Sequence, residues 1–132
     1  HQWGLESSYD DTMTKALRPA IAQRMFTLEE MMKKLGHEGF VLDILKTDCE
    51  FCEWFTYKDW LDPKRVDIRQ LLLETHNLPR TDQNSSTNIG GHWFPAPTTL
   101  TPADFFDDIR AAGFAMFSKE PNIHPKVMVS IA

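Results

Sequence analysis

Asp43-Ile44-Leu45-Lys46-Thr47-Asp48-Cys49-Glu50-Phe51-Cys52-Glu53-Trp54 is the stretch whose reading sets the architecture of the chain. An apolar segment, Val41 to Leu45, runs into Lys46, Thr47, Asp48, Cys49 and Glu50, where polar and ionisable groups crowd together just as an amphipathic run begins at Phe51. This is the pattern of a buried strand feeding a helix at its carboxyl end. Open α/β sheets bind ligands outside the carboxyl ends of their strands, so Asp48 and Glu50 are the first candidates for chemistry.

Downstream, the run predicts a short helix with Trp54, Phe55 and Trp60 on its apolar face, broken at Asp62-Pro63. Ile68 to Glu74 reads as a second, largely buried strand, and the preceding strand spans Phe40 to Lys46. A strand, a crossover helix and a second strand predict a right-handed parallel unit. The second strand also ends in polar residues: Glu74, Thr75, His76 and Asn77. Upstream, Thr27-Leu28-Glu29-Glu30 is a capping box that opens a helix with Leu28, Met31, Met32 and Leu35 on one face and Gly36 at its end. Before it, Thr12 to Met25 could be partly helical, with Pro19 interrupting or starting the helix.

Towards the carboxyl terminus, Leu78 to Thr99 is rich in Pro, Gly, Ser and Asn and reads as a long loop, in which Trp93 and Phe94 suggest a lid or docking flap or a cover for the sheet edge. Asn84-Ser85-Ser86 is a glycosylation sequon, relevant only to a secreted chain. Thr101-Pro102-Ala103-Asp104 caps the next helix, with Phe105, Phe106 and Ile109 as its buried face and Gly113 just past its end. Phe114 to Ser118 and Val127 to Ile131 then read as third and fourth strands. The connection Lys119 to Lys126 is too short for a parallel crossover, so the last strand is expected to be antiparallel to its neighbour.

At 132 residues and 42% hydrophobic, the chain can bury one core, and no shift in composition marks a second domain. A formal net charge of -5, with Lys and Arg scattered, gives no basic face for a phosphate backbone, so nucleic acid is not an expected partner. No apolar run approaches the roughly 20 residues needed to span a bilayer, and no signal peptide opens the chain. His1 in place of Met points to a processed or excised segment.

Cys49 and Cys52 form a C-x-x-C pair at a helix start, a position that favours thiol redox work by lowering a thiol pKa. The acidic neighbour Glu50 disfavours a thiolate, and a zinc site would need two further ligands that no second C-x-x-C supplies. Two packed thiols are the plainer expectation.

The ordered set of these segments resembles a family. Residues 43 to 54 are similar to the Leu-Lys-Ile-Asp-x-Glu-Gly-x-Glu-Trp signature of FkbM-like and related methyltransferase-like proteins that use S-adenosylmethionine. Leu71-Leu72-Leu73-Glu74-Thr75-His76 is similar to that family's Glu-x-His strand, and Gly113-Phe114 leading to Glu120-Pro121-Asn122 and the segment Thr27 to His37 add support. Phe51 departs from the pattern where the family has Gly.

The resemblance implies an α/β, Rossmann-like methyltransferase sheet, mostly parallel with a final antiparallel strand. It covers about three quarters of the chain. The glycine-rich turn that cradles the methionine moiety in the family is absent, as are first and second strands ahead of Thr27. The expected layout is one partial domain over residues 1–132, with an irregular or helical lead-in at 1–26 and an α/β core at 27–132 that contains the long loop 78–100.

By the same resemblance Asp48 and Glu50 face the methyl donor or acceptor, with Asp48 binding the cofactor, while Glu74 and His76 lie beside them and His76 is the candidate base. The cluster could equally hold a divalent cation through oxygen and imidazole ligands. The plainer alternative makes Asp48 a helix cap, Glu50 and Glu74 solvated, and His76 structural. His37, His92 and His124 have no comparable setting.

Three function classes follow. The first is a methyltransferase whose acceptor, whether a glycan hydroxyl, a small molecule or a protein side chain, is unspecified because acceptor pockets lie in variable loops. The second is a non-catalytic methyltransferase-like subunit that works with a protein partner or a missing amino-terminal half. The third is a thiol redox module.

Overall fold

Two parallel strand segments joined by a helix form the centre of the structure, a computed structural model that describes residues 2–9, 19–49, 52–76, 86–89, 92–95 and 100–120. β3 (Val41–Leu42) pairs with β5 (Asp67–Ile68), and β4 (Leu45–Thr47) pairs with β6 (Leu71–Leu73), both parallel. Val41 lies opposite Asp67 and Leu45 opposite Leu71, an offset of 26 residues in each case, so the two pairs share one register. Backbone bonds from Arg69 N–H to the Leu42 carbonyl and from Leu45 N–H to the Gln70 carbonyl, each 2.9 Å, carry the ladder across the interruption. The predicted strand–helix–strand unit is therefore present, with each strand broken once.

The helix between these strands runs from Cys52 to Leu61 and ends ahead of Asp62-Pro63, where proline cannot continue the ladder. It is preceded in the chain by β1 (Gly4–Leu5), α1 (Pro19–Ala22), β2 (Met25–Phe26) and α2 (Leu28–Lys34), so it is α3. Cys52, Trp54, Phe55, Tyr57 and Trp60 on α3 are all buried, and they form the core with Leu28 and Met32 of α2, Val66, Ile68 and Phe105. Burying so many large apolar side chains on one helix is the main favourable term in the fold.

Both predicted helix caps are present, each as a capping box. Thr27 caps α2 with reciprocal bonds to Glu30, and the helix gives way at Leu35 to Gly36, whose φ of 74° suits a residue without Cβ. Thr101 caps α4 (Pro102–Ala111) with Asp104 in the reciprocal role and Pro102 in the first turn. Of the apolar face read for α2, Leu28 and Met32 are buried, whereas Leu35 is exposed.

The structure corrects several expectations. Within the described part of the lead-in, Gly4–Leu5 and Met25–Phe26 make a short parallel pair ahead of Thr27, where no strand was expected. Strands of two residues carry no readable period, so the sequence conceals them. Pro19 starts a helix, as its fixed φ allows. The segment read as the long loop contains an antiparallel hairpin, β7 (Ser86–Ile89) with β8 (His92–Pro95). Gly90-Gly91, between the two strands in the sequence, is the composition of a tight hairpin connection. Trp93 and Phe94 lie on β8.

Phe114 to Ser118 is not a strand. The Phe114 N–H bonds back to the Ile109 carbonyl at the end of α4, and Met116 and Phe117 are exposed. A strand needs a partner, and the expected one, 127–131, lies outside the described residues. Asn84, Glu50 and His124 also lie outside them. Finally, Cys49 and Cys52 are not two packed thiols but a disulfide.

The observed class is α/β, with small two-stranded sheets, three of them parallel, among the described residues. No helix among these residues is long and apolar enough to cross a membrane.

Candidate functional site

Parallel pairing of β4 and β6 brings both carboxyl ends to one edge. Asp48 follows Thr47 at the end of β4, and Glu74 follows Leu73 at the end of β6, with the Glu74 N–H bonded to the Thr47 carbonyl at 3.0 Å. Three of the four residues read from the sequence thus converge. The donor atoms of Asp48, Glu74 and His76 all lie within 4.8 Å of one another.

His76 is held on three sides. Its backbone N–H donates to Glu53 Oε1 at 2.7 Å, its ring Nδ1 lies 2.9 Å from the same oxygen, and its carbonyl accepts the Trp54 indole N–H at 2.9 Å. The ring Nε2 faces Asp48 Oδ1 at 3.9 Å, beyond direct hydrogen-bond distance. The His76 side chain is 18% exposed and that of Asp48 is 45% exposed, so the cluster sits at the surface with its imidazole largely covered.

Glu53 was not among the residues read as functional. It sits in the first turn of α3 with its side chain 0% exposed. The resembling signature offered a signal, since its second Glu falls at position 53. An acidic residue near a helix start, however, reads equally well as a solvated partner of the helix dipole.

Cys49 Sγ lies 3.5 Å from Glu53 Oε2. As a disulfide sulfur it carries no proton, so this is a contact rather than a donated hydrogen bond. Cys49, Cys52 and Glu53 also group at metal-ligand spacing, but a disulfide has no thiolate to offer a metal.

Two carboxylates beside one oriented imidazole can do three things. They can attract a cationic group, ligate a divalent cation through oxygen and nitrogen, or accept a proton at Nε2. His37, by contrast, stacks on the exposed Phe40 with ring centroids 5.6 Å apart.

A family model described as a methyltransferase domain matches residues 1–132. Comparison with curated proteins and with solved structures returns no match.

Proposed function

The chain belongs to the methyltransferase-domain family, and on that premise we propose that it transfers a methyl group from S-adenosylmethionine, in the manner of FkbM-like proteins and on a Rossmann-like sheet. The observation that carries this reading is the joining of two signature segments: Glu53 and Trp54 of the first both bond to His76 of the second, beside Asp48 and Glu74.

The donor set fits the charged end of the cofactor, because carboxylates at a strand edge favour a positive sulfonium. Asp48 would hold that end, and the bound cofactor would supply an electrophilic methyl group. The chain's own residues do the rest. His76 Nε2 takes the proton of the acceptor's nucleophile, while Glu74 helps to place that nucleophile beside the ring. Glu50 joins this set on resemblance alone. The acceptor class we favour is a hydroxyl of a small molecule or glycan, and the domain is taken to be the single unit 1–132. A thiol-exchange role is less well supported, because the Glu53 carboxylate 3.5 Å from the Cys49 sulfur opposes a thiolate.

Calorimetric titration of the full chain with S-adenosylmethionine tests the reading. We expect binding in the wild type and affinity weakened about tenfold or more in Asp48→Ala, a loss of at least about 1.4 kcal/mol. A folded wild type that does not bind overturns methyl transfer by this chain and leaves a non-catalytic, methyltransferase-like subunit. Binding that Asp48→Ala leaves unchanged removes the assignment of Asp48.

A further inference from the structure

A fully buried carboxylate calls for a physical reason. Removing a carboxylate from water costs several kcal/mol unless hydrogen bonds or an opposite charge offset it, and apolar packing alone is better served by an apolar side chain. Glu53 lies in the most buried run among the described residues, between Cys52 and Trp54, with Phe55 and Thr56 following, and each of these residues is itself buried. Among the described residues, the hydrogen bonds it accepts from proton-bearing groups come from His76 alone, 23 positions away, through the backbone N–H and ring Nδ1. Its other oxygen faces the proton-free sulfur of the disulfide.

We propose that Glu53 is a positioning residue that fixes His76 as the Nδ1–H tautomer, with the Nε2 lone pair turned to the strand edge shared by Asp48 and Glu74. The chemistry behind this is short. An ionised carboxylate only accepts, so Nδ1 must carry the proton, and a neutral imidazole protonated at Nδ1 has its lone pair on Nε2. The backbone bonds from His76 N–H to Glu53 and from Trp54 to the His76 carbonyl stop the ring being carried away by a shift of the chain. Buried carboxylates play this part wherever an imidazole must present one chosen nitrogen to a proton or a metal ion. The purpose of the device rests on the methyl-transfer reading, but its geometry does not.

Among the described residues, carboxylates close to the ring include Glu53 from α3, Asp48 from the end of β4 and Glu74 from the end of β6. All three are acidic and favour the imidazolium, but of these three Glu53 alone lies within hydrogen-bond distance of Nδ1. Its removal should therefore change the ring more than removal of either of the others.

Nitrogen-15 correlation spectra of the full chain, without ligand, read the tautomer and titration of His76 directly. Expected are the Nδ1–H form in the wild type, a mixed or reversed tautomer in Glu53→Gln with the His76 pKa lower by about 1 unit or more, and partial return in Glu53→Asp. A wild-type ring protonated at Nε2 overturns the proposal. So does a folded Glu53→Gln protein with wild-type tautomer and titration. Should Glu53→Gln fail to fold, the wild-type tautomer decides alone. Wild-type spectra of the expected form in a chain that does not bind S-adenosylmethionine would remove the methyl-transfer reading and leave the positioning role standing.

Discussion

Tyr57 and Glu53 share a habit: each is buried on α3, and each turns its polar end to a partner far away in sequence. Tyr57 is 2% exposed and donates to Asp108 Oδ2 at 2.8 Å. Burial, first, and then the bond to and charge of Asp108 push the phenol well above its ordinary range. The neutral phenol is thus favoured in the fold. Its contribution to stability is complete below the unfolded phenol's ordinary value of about 10 and is lost as pH rises from there towards the folded value. In alkaline titration followed at the phenolate absorbance, Tyr57 should ionise only as the chain unfolds. Tyr57→Phe, which keeps the ring, should remove that step and move alkaline unfolding to higher pH. Reversible ionisation of Tyr57 near pH 10 in the folded chain would contradict this. The site residues divide along the same line. Asp48, Glu74 and His76 could be read because a strand end shows itself where an apolar run turns polar. Glu53 showed itself only as a position in the resembling signature, because a charged residue in a helical run tells nothing of burial until the packing is seen.

Among the elements, the helices were the most legible. Thr27 with Glu30 and Thr101 with Asp104 mark their starts by chemistry that works locally, since a free backbone amide is satisfied within three residues. Strands depend on partners. The pair containing β4 and β6 could be read because a helix of crossover length separates two apolar runs, whereas Phe114 to Ser118 has the right residues and no strand pairing among the described ones. The hairpin β7–β8 was masked by a polar, turn-rich composition that resembles a loop. The docking of α4 was legible in kind, through Phe105, Phe106 and Ile109, and its energetic centre is now specific. Phe105 is 0% exposed, with ring centroids 4.7 Å from Trp54, 4.8 Å from Tyr57 and 5.2 Å from Phe106. Phe105→Ala removes the ring that α4 inserts against α3 and should cost about 3–5 kcal/mol in denaturant unfolding. A loss below about 1 kcal/mol would mean that the site collapses to fill the space and that α4 docks by other contacts.

On the scale of the molecule, one helix organises the core among the described residues. α3 supplies half of the buried apolar side chains of the core, carries Glu53 to His76, and through Asp59 accepts the Ser8 N–H at 2.9 Å, which ties the lead-in to the centre. Stability in such a fold cannot be uniform. Opening α3 exposes Trp54, Phe55, Tyr57 and Trp60 together, so its amides should exchange with solvent only by global unfolding. The β1–β2 pair joins two residues to two, and α1 is a single turn with no buried residue, so their amides can open locally. Native-state hydrogen exchange should accordingly give α3, followed by the β4–β6 ladder, the highest opening free energies, with β1–β2 and α1 the lowest. The ordering has a functional side. His76 hangs from α3 by Glu53 and Trp54, so the geometry of the strand edge should persist as long as the core does, and local opening of the lead-in should leave the imidazole in place. Exchange of α3 amides as fast as those of β1 and β2 would overturn this picture. It would detach the site's orientation from the core and require His76 to be held chiefly by the strand that bears it.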